Sequence, residues 1–140
     1  MTATATRRVE WDMGHRLKDH GGKCKNPHGH RYAAEVTVSA PIGDDGLVLD
    51  FGQIKSTVGA WIDEHLDHTT AYERGDSLMG DFADSARESG CKPFYEMDVP
   101  PTAENLACLL GRVSTELLKG FAVTRVRVYE TPNCYAEWTP

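Results

Sequence analysis

The sequence contains no apolar run approaching the roughly 18 residues that a membrane-spanning helix needs, which excludes a helical membrane protein. It carries no excess of positive charge. With a net charge of −6 it lacks the basic footprint that phosphate-backbone binding requires, so nucleic acid is not the expected partner. Its four cysteines, Cys24, Cys91, Cys108 and Cys134, show no C-x-x-C spacing and so no zinc-ribbon or dithiol redox motif. The opening stretch, Met1 to Arg8, is Thr/Ala-rich and then basic, without the apolar core of a secretory signal. The expectation is a cytoplasmic protein with reduced thiols. What is present is ordinary for a globular chain: 40% hydrophobic and 26% charged residues, over a length of 140 that fits one domain spanning residues 1–140.

Hydrophobic alternation predicts a first strand over Arg8 to Leu17, containing Val9, Trp11, Met13 and His15. A polar loop from Lys18 to Pro27 follows. From His28 to Ala40 the alternation is clean: His28, His30, Tyr32, Ala34, Val36 and Val38 share one face, and Arg31, Glu35, Thr37 and Ser39 the other. Gly43-Asp44-Asp45-Gly46 reads as a turn and Leu47-Val48-Leu49 as a short return strand, together a hairpin. Asp50, with Gln53 three residues on, forms a capping-box pattern. The helix it opens places Phe51, Ile54, Val58, Trp61 and Ile62 on one face.

The polar stretch Glu73 to Gly90 reads as an elaborated connection of weak helical character, and Pro93 to Val99 as a short extended piece. A second helix starts at Thr102 as N-cap, with Glu104 suited to its positive first turn, and stops at Gly120. Strands from Val123 and from Cys134 to Trp138 complete an α+β layout: a four-stranded antiparallel sheet with two helices on one face. Such a short, open-edged sheet invites coverage by identical subunits.

Residues two apart on a strand point the same way, so His28 and His30 present both imidazoles to one side across Gly29. His15, on the neighbouring strand, can supply a third nitrogen, and three histidines with one open position is the donor set of a catalytic zinc. Alone, the H-x-H pair reads more readily as two partly exposed histidines at a strand start than as metal ligands. Cys24 lies in a Gly/Lys-rich loop four residues before His28, and its cationic neighbours Lys23 and Lys25 suit a reactive thiol. Asp67-His68 pairs a carboxylate with an imidazole, the usual way to set a catalytic histidine's tautomer, although neighbours on a strand would point apart. Glu130 keeps the parity of Val126 and Val128, so its carboxylate must find donors at the strand's end or reach solvent. A bidentate carboxylate suits a ligand with two adjacent N–H groups.

Six segments occur in order along nearly the whole chain: Trp11-Asp12-Met13-Gly14-His15-Arg16-Leu17, Cys24-Lys25-Asn26-Pro27-His28-Gly29-His30, Val48-Leu49-Asp50-Phe51, Leu66-Asp67-His68, Pro101-Thr102-Ala103-Glu104-Asn105 and Tyr129-Glu130-Thr131. The set resembles the family of 6-pyruvoyl- and 6-carboxy-tetrahydropterin synthases. The resemblance implies a tunnelling fold, with subunits assembling into barrels as a homo-hexamer, a dimer of trimers. It implies Zn2+ on His15, His28 and His30, and Cys24 as the base that moves protons on the substrate side chain, with Asp67 and His68 as relay partners. It implies Glu130 as the anchor of a pterin ring, with Thr102 and Glu104 close by. The implied substrate is 7,8-dihydroneopterin triphosphate, and Arg16, Lys18, Lys23, Lys25 and Arg31 are candidates for its polyphosphate.

Within the family, the short C-x-x-x-H-G-H form resembles the carboxy enzymes of queuosine synthesis, which release acetaldehyde and triphosphate. The pyruvoyl reaction and a non-catalytic zinc- or pterin-binding module are the alternatives. The chain departs from the family at Trp11, where Phe is usual, and at Met13-Gly14, where two alanines are usual. The segment Tyr72 to Val99 is longer than in the shortest members.

Overall fold

A computed structural model describes all of residues 1–140. Two long strands, β1 (Thr2–His15) and β2 (His28–Pro41), pair antiparallel along their whole length. Their register sets His15 opposite His28 and Met13 opposite His30. β5 (Ala122–Thr131) joins the other edge of β2, and β6 (Cys134–Trp138) closes the antiparallel part.

The sheet has six strands rather than the four expected, in the order β4 (Tyr95–Met97), β3 (Thr69–Glu73), β1, β2, β5, β6. The two additional strands, β3 and β4, lie on the far side of β1 and run parallel. Parallel neighbours require a crossover, and α3 (Ser77–Glu88) supplies it. The stretch Glu73 to Gly90, expected to be weakly helical, holds α3, and the extended piece expected over Pro93 to Val99 holds β4. With the unexpected β3 they form a β-α-β unit. Asp76 fixes the start of α3 by accepting from the Met79 N–H, and Arg16 donates to Asp76 at 2.6 Å from the end of β1.

Leu47-Val48-Leu49 forms no strand. A return strand there would need an edge of β2, and both edges are already taken by β1 and β5. The chain closes a turn through Gly43 N–H to the Leu47 carbonyl and enters a helix at Asp50, whose capping box with Gln53 is complete. That helix runs through α1 (Phe51–Ile54), a π-turn at Lys55–Gly59, and α2 (Ala60–His65).

Ile54, Val58 and Ile62 are fully buried against the sheet, whereas Phe51, expected on the same stripe, is half exposed at the first turn. α4 (Ala103–Leu117) buries Leu106, Ala107 and Leu110 in the same core as Trp11, Tyr32, Val36, Val38, Val126 and Val128. The helices thus cover one face. The opposite face is left polar: Thr6 bonds Thr37, Arg8 pairs Glu35, and Arg127 pairs Glu137. No helix is long and apolar enough to cross a membrane.

Gly111 lets α4 pack directly against Trp138 of β6. A Cβ there would run into the Trp138 indole. Gly111→Ala is expected to destabilise the fold by about 1–3 kcal/mol, because a methyl group must displace Trp138 or the helix. Urea denaturation checks this; an unchanged midpoint would show that Trp138 yields freely.

Candidate active site

The register of β1 and β2 brings three imidazoles to one end of the sheet, with donor atoms of His15, His28 and His30 all within 4.8 Å of one another. His15 is buried at 1% exposure, and its Nδ1–H donates to the Pro101 carbonyl at 2.8 Å. His28 donates through Nδ1 to the Asn26 carbonyl at 2.6 Å. Each carbonyl can only accept, so both rings carry their proton on Nδ1 and turn a bare Nε2 inward. Those two nitrogens lie 3.1 Å apart, and the buried Nε2 of His30 has no partner.

Two lone pairs at that distance repel each other unless a cation sits among them. The donor set therefore fits Zn2+, and the carbonyl-fixed tautomers are the outer-shell arrangement of a metal site. Burial lowers the pKa of His15 and of His30, outweighing the Glu130 carboxylate that raises both, so these imidazoles stay neutral as ligands must.

The same shifts give a testable pH dependence for the metal-free protein. The unfolded chain takes up protons on these histidines as the pH falls through the ordinary value of 6.5, and the folded chain resists. Stability is full above that value and is lost as the pH falls below it. Chelator-treated protein is expected to melt at lower temperature at pH 5.5 than at pH 7.5 (about those values spanning the window). Equal melting temperatures would mean that both rings protonate freely in the fold.

Glu130 keeps the side of Val126 and Val128, and its carboxylate ends 3.5 Å from His30 Nε2 and 4.0 Å from His15 Nε2. It also lines a cavity of 290 Å³ together with Cys24, Thr102 and Glu104. Cys24 sits in a single 3-10 turn, Lys23–Lys25, tied to the end of β1 by the Leu17 N–H donating to its carbonyl. Thr102 does cap α4, accepting from the Asn105 N–H, and still faces the cavity. The Pro101-Thr102 junction therefore orients His15 and starts α4 at once.

Asp67 and His68 stand elsewhere. They follow α2 in a turn rather than a strand. His68 adopts φ 57°, a left-handed conformation that is uncommon outside glycine and that brings its Nδ1 to 2.9 Å from Asp67 Oδ2. The turn is clamped to β1 in both directions: Asp12 N–H donates to Asp67 Oδ1 and His68 N–H donates to the Asp12 carbonyl. Burial tends to raise the Asp67 pKa. The His68 hydrogen bond, the Asp12 N–H and the charges of His68 and Lys92 together outweigh it and hold the carboxyl below its usual range. His68 opens into a separate cavity of 440 Å³, lined also by Asp12, Arg31 and the bare backbone of Gly14 and Gly29. Within one chain, then, Cys24 and His68, the outer member of the dyad, line different cavities.

Three of the five basic candidates have acidic partners. Arg16 is bound to Asp76, Arg31 donates to Asp12 at 3.1 Å, and Lys18 lies within 4 Å of Asp19 and Glu73. Lys23 and Lys25, beside Cys24, pair with no carboxylate within 4.0 Å. The cavity also holds His20 and Cys134, neither of which is among the site residues expected from the sequence. His20 lies four residues before Cys24 in the same loop, and that proximity is a usable signal. Cys134 depends on the β5–β6 turn and gives none.

A family profile described as 6-pyruvoyl tetrahydropterin synthase matches residues 4–140. A 6-carboxy-5,6,7,8-tetrahydropterin synthase from Rickettsia bellii is 41% identical over 136 residues, covering 94% of this chain and 96% of its own. A probable enzyme of the same name from Halobacterium salinarum is 35% identical, covering 90% and 79%. Among solved structures, an uncharacterized protein from Wolinella succinogenes superposes with TM-score 0.85 at 20% identity, covering 99% of this chain and 98% of its own. The 6-pyruvoyl tetrahydropterin synthase of Caenorhabditis elegans gives 0.74 at 19% identity, covering 100% and 96%.

The fold is therefore the tunnelling fold. The chain belongs to the 6-pyruvoyl tetrahydropterin synthase family.

Proposed function

We propose that this chain is a zinc-dependent lyase that converts 7,8-dihydroneopterin triphosphate to 6-carboxy-5,6,7,8-tetrahydropterin. Acetaldehyde and triphosphate are released, in the cytoplasmic synthesis of 7-deazaguanine precursors of queuosine. The observation that carries the reading is the convergence of three inward-turned Nε2 atoms beside a cavity holding Cys24 and Glu130. The names of the relatives and the three-residue spacing between Cys24 and His28 support the carboxy product over the pyruvoyl one.

His15, His28 and His30 would hold Zn2+, which supplies Lewis-acid polarisation of the substrate's side-chain oxygens. Every other role falls to the chain's own groups. Glu130 accepts from the amino and N–H edge of the pterin ring, and Thr102 and Glu104 border the same cavity. Cys24 removes and returns protons on the side chain as the general base of the reaction. Asp67 holds His68 in one tautomer so that its outer nitrogen can relay those protons. Lys23 and Lys25 are free to receive the triphosphate.

Because His68 and Cys24 line different cavities, the relay closes only between copies of the chain. This favours an assembly such as a hexamer of two trimers, with each site shared by neighbours. The deciding experiment is mass-spectrometric product analysis of zinc-loaded protein incubated with 7,8-dihydroneopterin triphosphate. 6-Carboxy-tetrahydropterin with acetaldehyde is the expected result. 6-Pyruvoyl-tetrahydropterin would reassign the product, and no product from folded, metal-replete protein would overturn the enzyme reading.

A further inference from the structure

The turn that carries Asp67 and His68 has a third tether besides its two bonds to β1. Lys92, half-buried in the segment between α3 and β4, points its ammonium at the end of α2. Its Nζ donates to the carbonyl of Asp63 and to the carbonyl of Asp67, each at 2.5 Å. Carbonyls in the last turn of a helix have no partner within it, and a lysine there satisfies them and complements the negative end of the dipole. Lys92 does more than cap, because the second carbonyl belongs to the dyad itself. One residue on, the Pro93 carbonyl accepts from Thr69 Oγ1 at 2.7 Å, and β4 then continues alongside β3. The chain from Lys92 to Met97 therefore braces the dyad on the side opposite its clamp to Asp12.

That brace matters because the dyad's geometry is strained. His68 sits at positive φ without being glycine, and such conformations persist only where the surroundings over-determine them. Here the surroundings are Asp12 on one side and Lys92 on the other. We propose that Lys92 is a positioning residue for catalysis, holding the Asp67 carbonyl so that the Asp67-His68 pair keeps its relay geometry. This rests on the proposed role of the dyad in turnover. The long Tyr72 to Val99 segment thereby acquires a function, since its last part supplies the brace.

The test compares the Lys92→Met and Lys92→Arg variants with the full-length, zinc-loaded wild-type protein by two readouts. Steady-state kinetics with 7,8-dihydroneopterin triphosphate should show kcat of Lys92→Met reduced about tenfold to a hundredfold, as expected for a misplaced relay group. KM should stay within about twofold, since the pterin contacts lie in the other cavity. Lys92→Arg, which keeps a cationic donor, should recover most of the rate.

Amide hydrogen exchange supplies a readout that needs no activity. The Asp67 and His68 amides should exchange about tenfold faster in Lys92→Met, while those of β1 and β2 do not change. Wild-type kcat in Lys92→Met, or faster exchange throughout the sheet with no rescue by arginine, would overturn the proposal. If wild-type protein forms no product, the functional reading fails by itself. Exchange at Asp67 and His68 then still decides whether Lys92 holds the turn.

Discussion

Cys24→Ala is expected to abolish measurable turnover while leaving zinc content and pterin binding as they are in the wild-type protein. The sulfur is not among the three converging donors, so its removal takes nothing from the metal set. Nor does Cys24 support the core: it is only partly buried, in a three-residue turn with no buried neighbours of its own. What the variant loses is the thiol proposed to take and return a proton beside the substrate side chain; His20 and Cys134, on the same wall, stay in place. Loss of a positioned acid-base group costs about 10²–10⁴ in rate.

Three measurements on one preparation check the prediction: metal content, fluorescence titration with a pterin, and turnover. Turnover at the wild-type rate would sink the role given to Cys24. Asp67→Asn should lose turnover as well, and here the separation of the two cavities adds a second arm. If each site draws Cys24 from one copy and the dyad from another, mixed assemblies of the two inactive variants contain some sites with both groups intact. Co-assembled protein should regain activity that neither variant has alone. No recovery in verified mixed assemblies would place the relay within one chain.

Much of the scaffold for this chemistry is legible in the sequence because it is built from local rules. The alternation from His28 onward survives as β2, whose inward residues are the core. The Asp50–Gln53 capping box and the Thr102 cap form because each needs only residues three apart. The parity of Glu130 places its carboxylate beside the histidines.

What sequence does not reveal depends on distant partners. Thr69–Glu73 is too short to announce itself and becomes a strand because β1 offers a free edge. The helical character of α3 is readable, but not what fixes it: Asp76 paired with Arg16, sixty residues away. The supposed return strand at Leu47–Leu49 fails for the complementary reason, since β2 has no edge left. At the site, three histidines are readable as a donor set. The carbonyls of Pro101 and Asn26 that fix two of their tautomers are backbone groups, which no residue type advertises. The left-handed turn at His68 likewise reverses the inference that adjacent side chains point apart.

Those fixed tautomers set the second large effect. His28→Ala is expected to lose zinc, with affinity falling by more than the roughly 10–100-fold that follows loss of an outer-shell partner alone. His28 is the better choice for this test than His15. His15 is fully buried against Tyr32 and the other rings, so truncating it leaves a hole as well as a missing ligand. His28 opens β2 at the rim and is only partly buried, and its Nδ1 partner, the Asn26 carbonyl, lies in an exposed loop where water can replace the lost N–H.

The variant should therefore fold with a wild-type circular dichroism spectrum yet bind well under one zinc per chain, and turnover should fall with the metal. Two neutral imidazoles would remain, His15 and His30, together with a carboxylate 3.5 Å from His30 Nε2. A full zinc complement in His28→Ala would mean that Glu130 completes the donor set. The pterin anchor would then have to be sought elsewhere in the 290 Å³ cavity, with Glu104 the next carboxylate on its wall. Loss of zinc with the fold intact would instead leave Glu130 free for the ring and fix the donors as His15, His28 and His30.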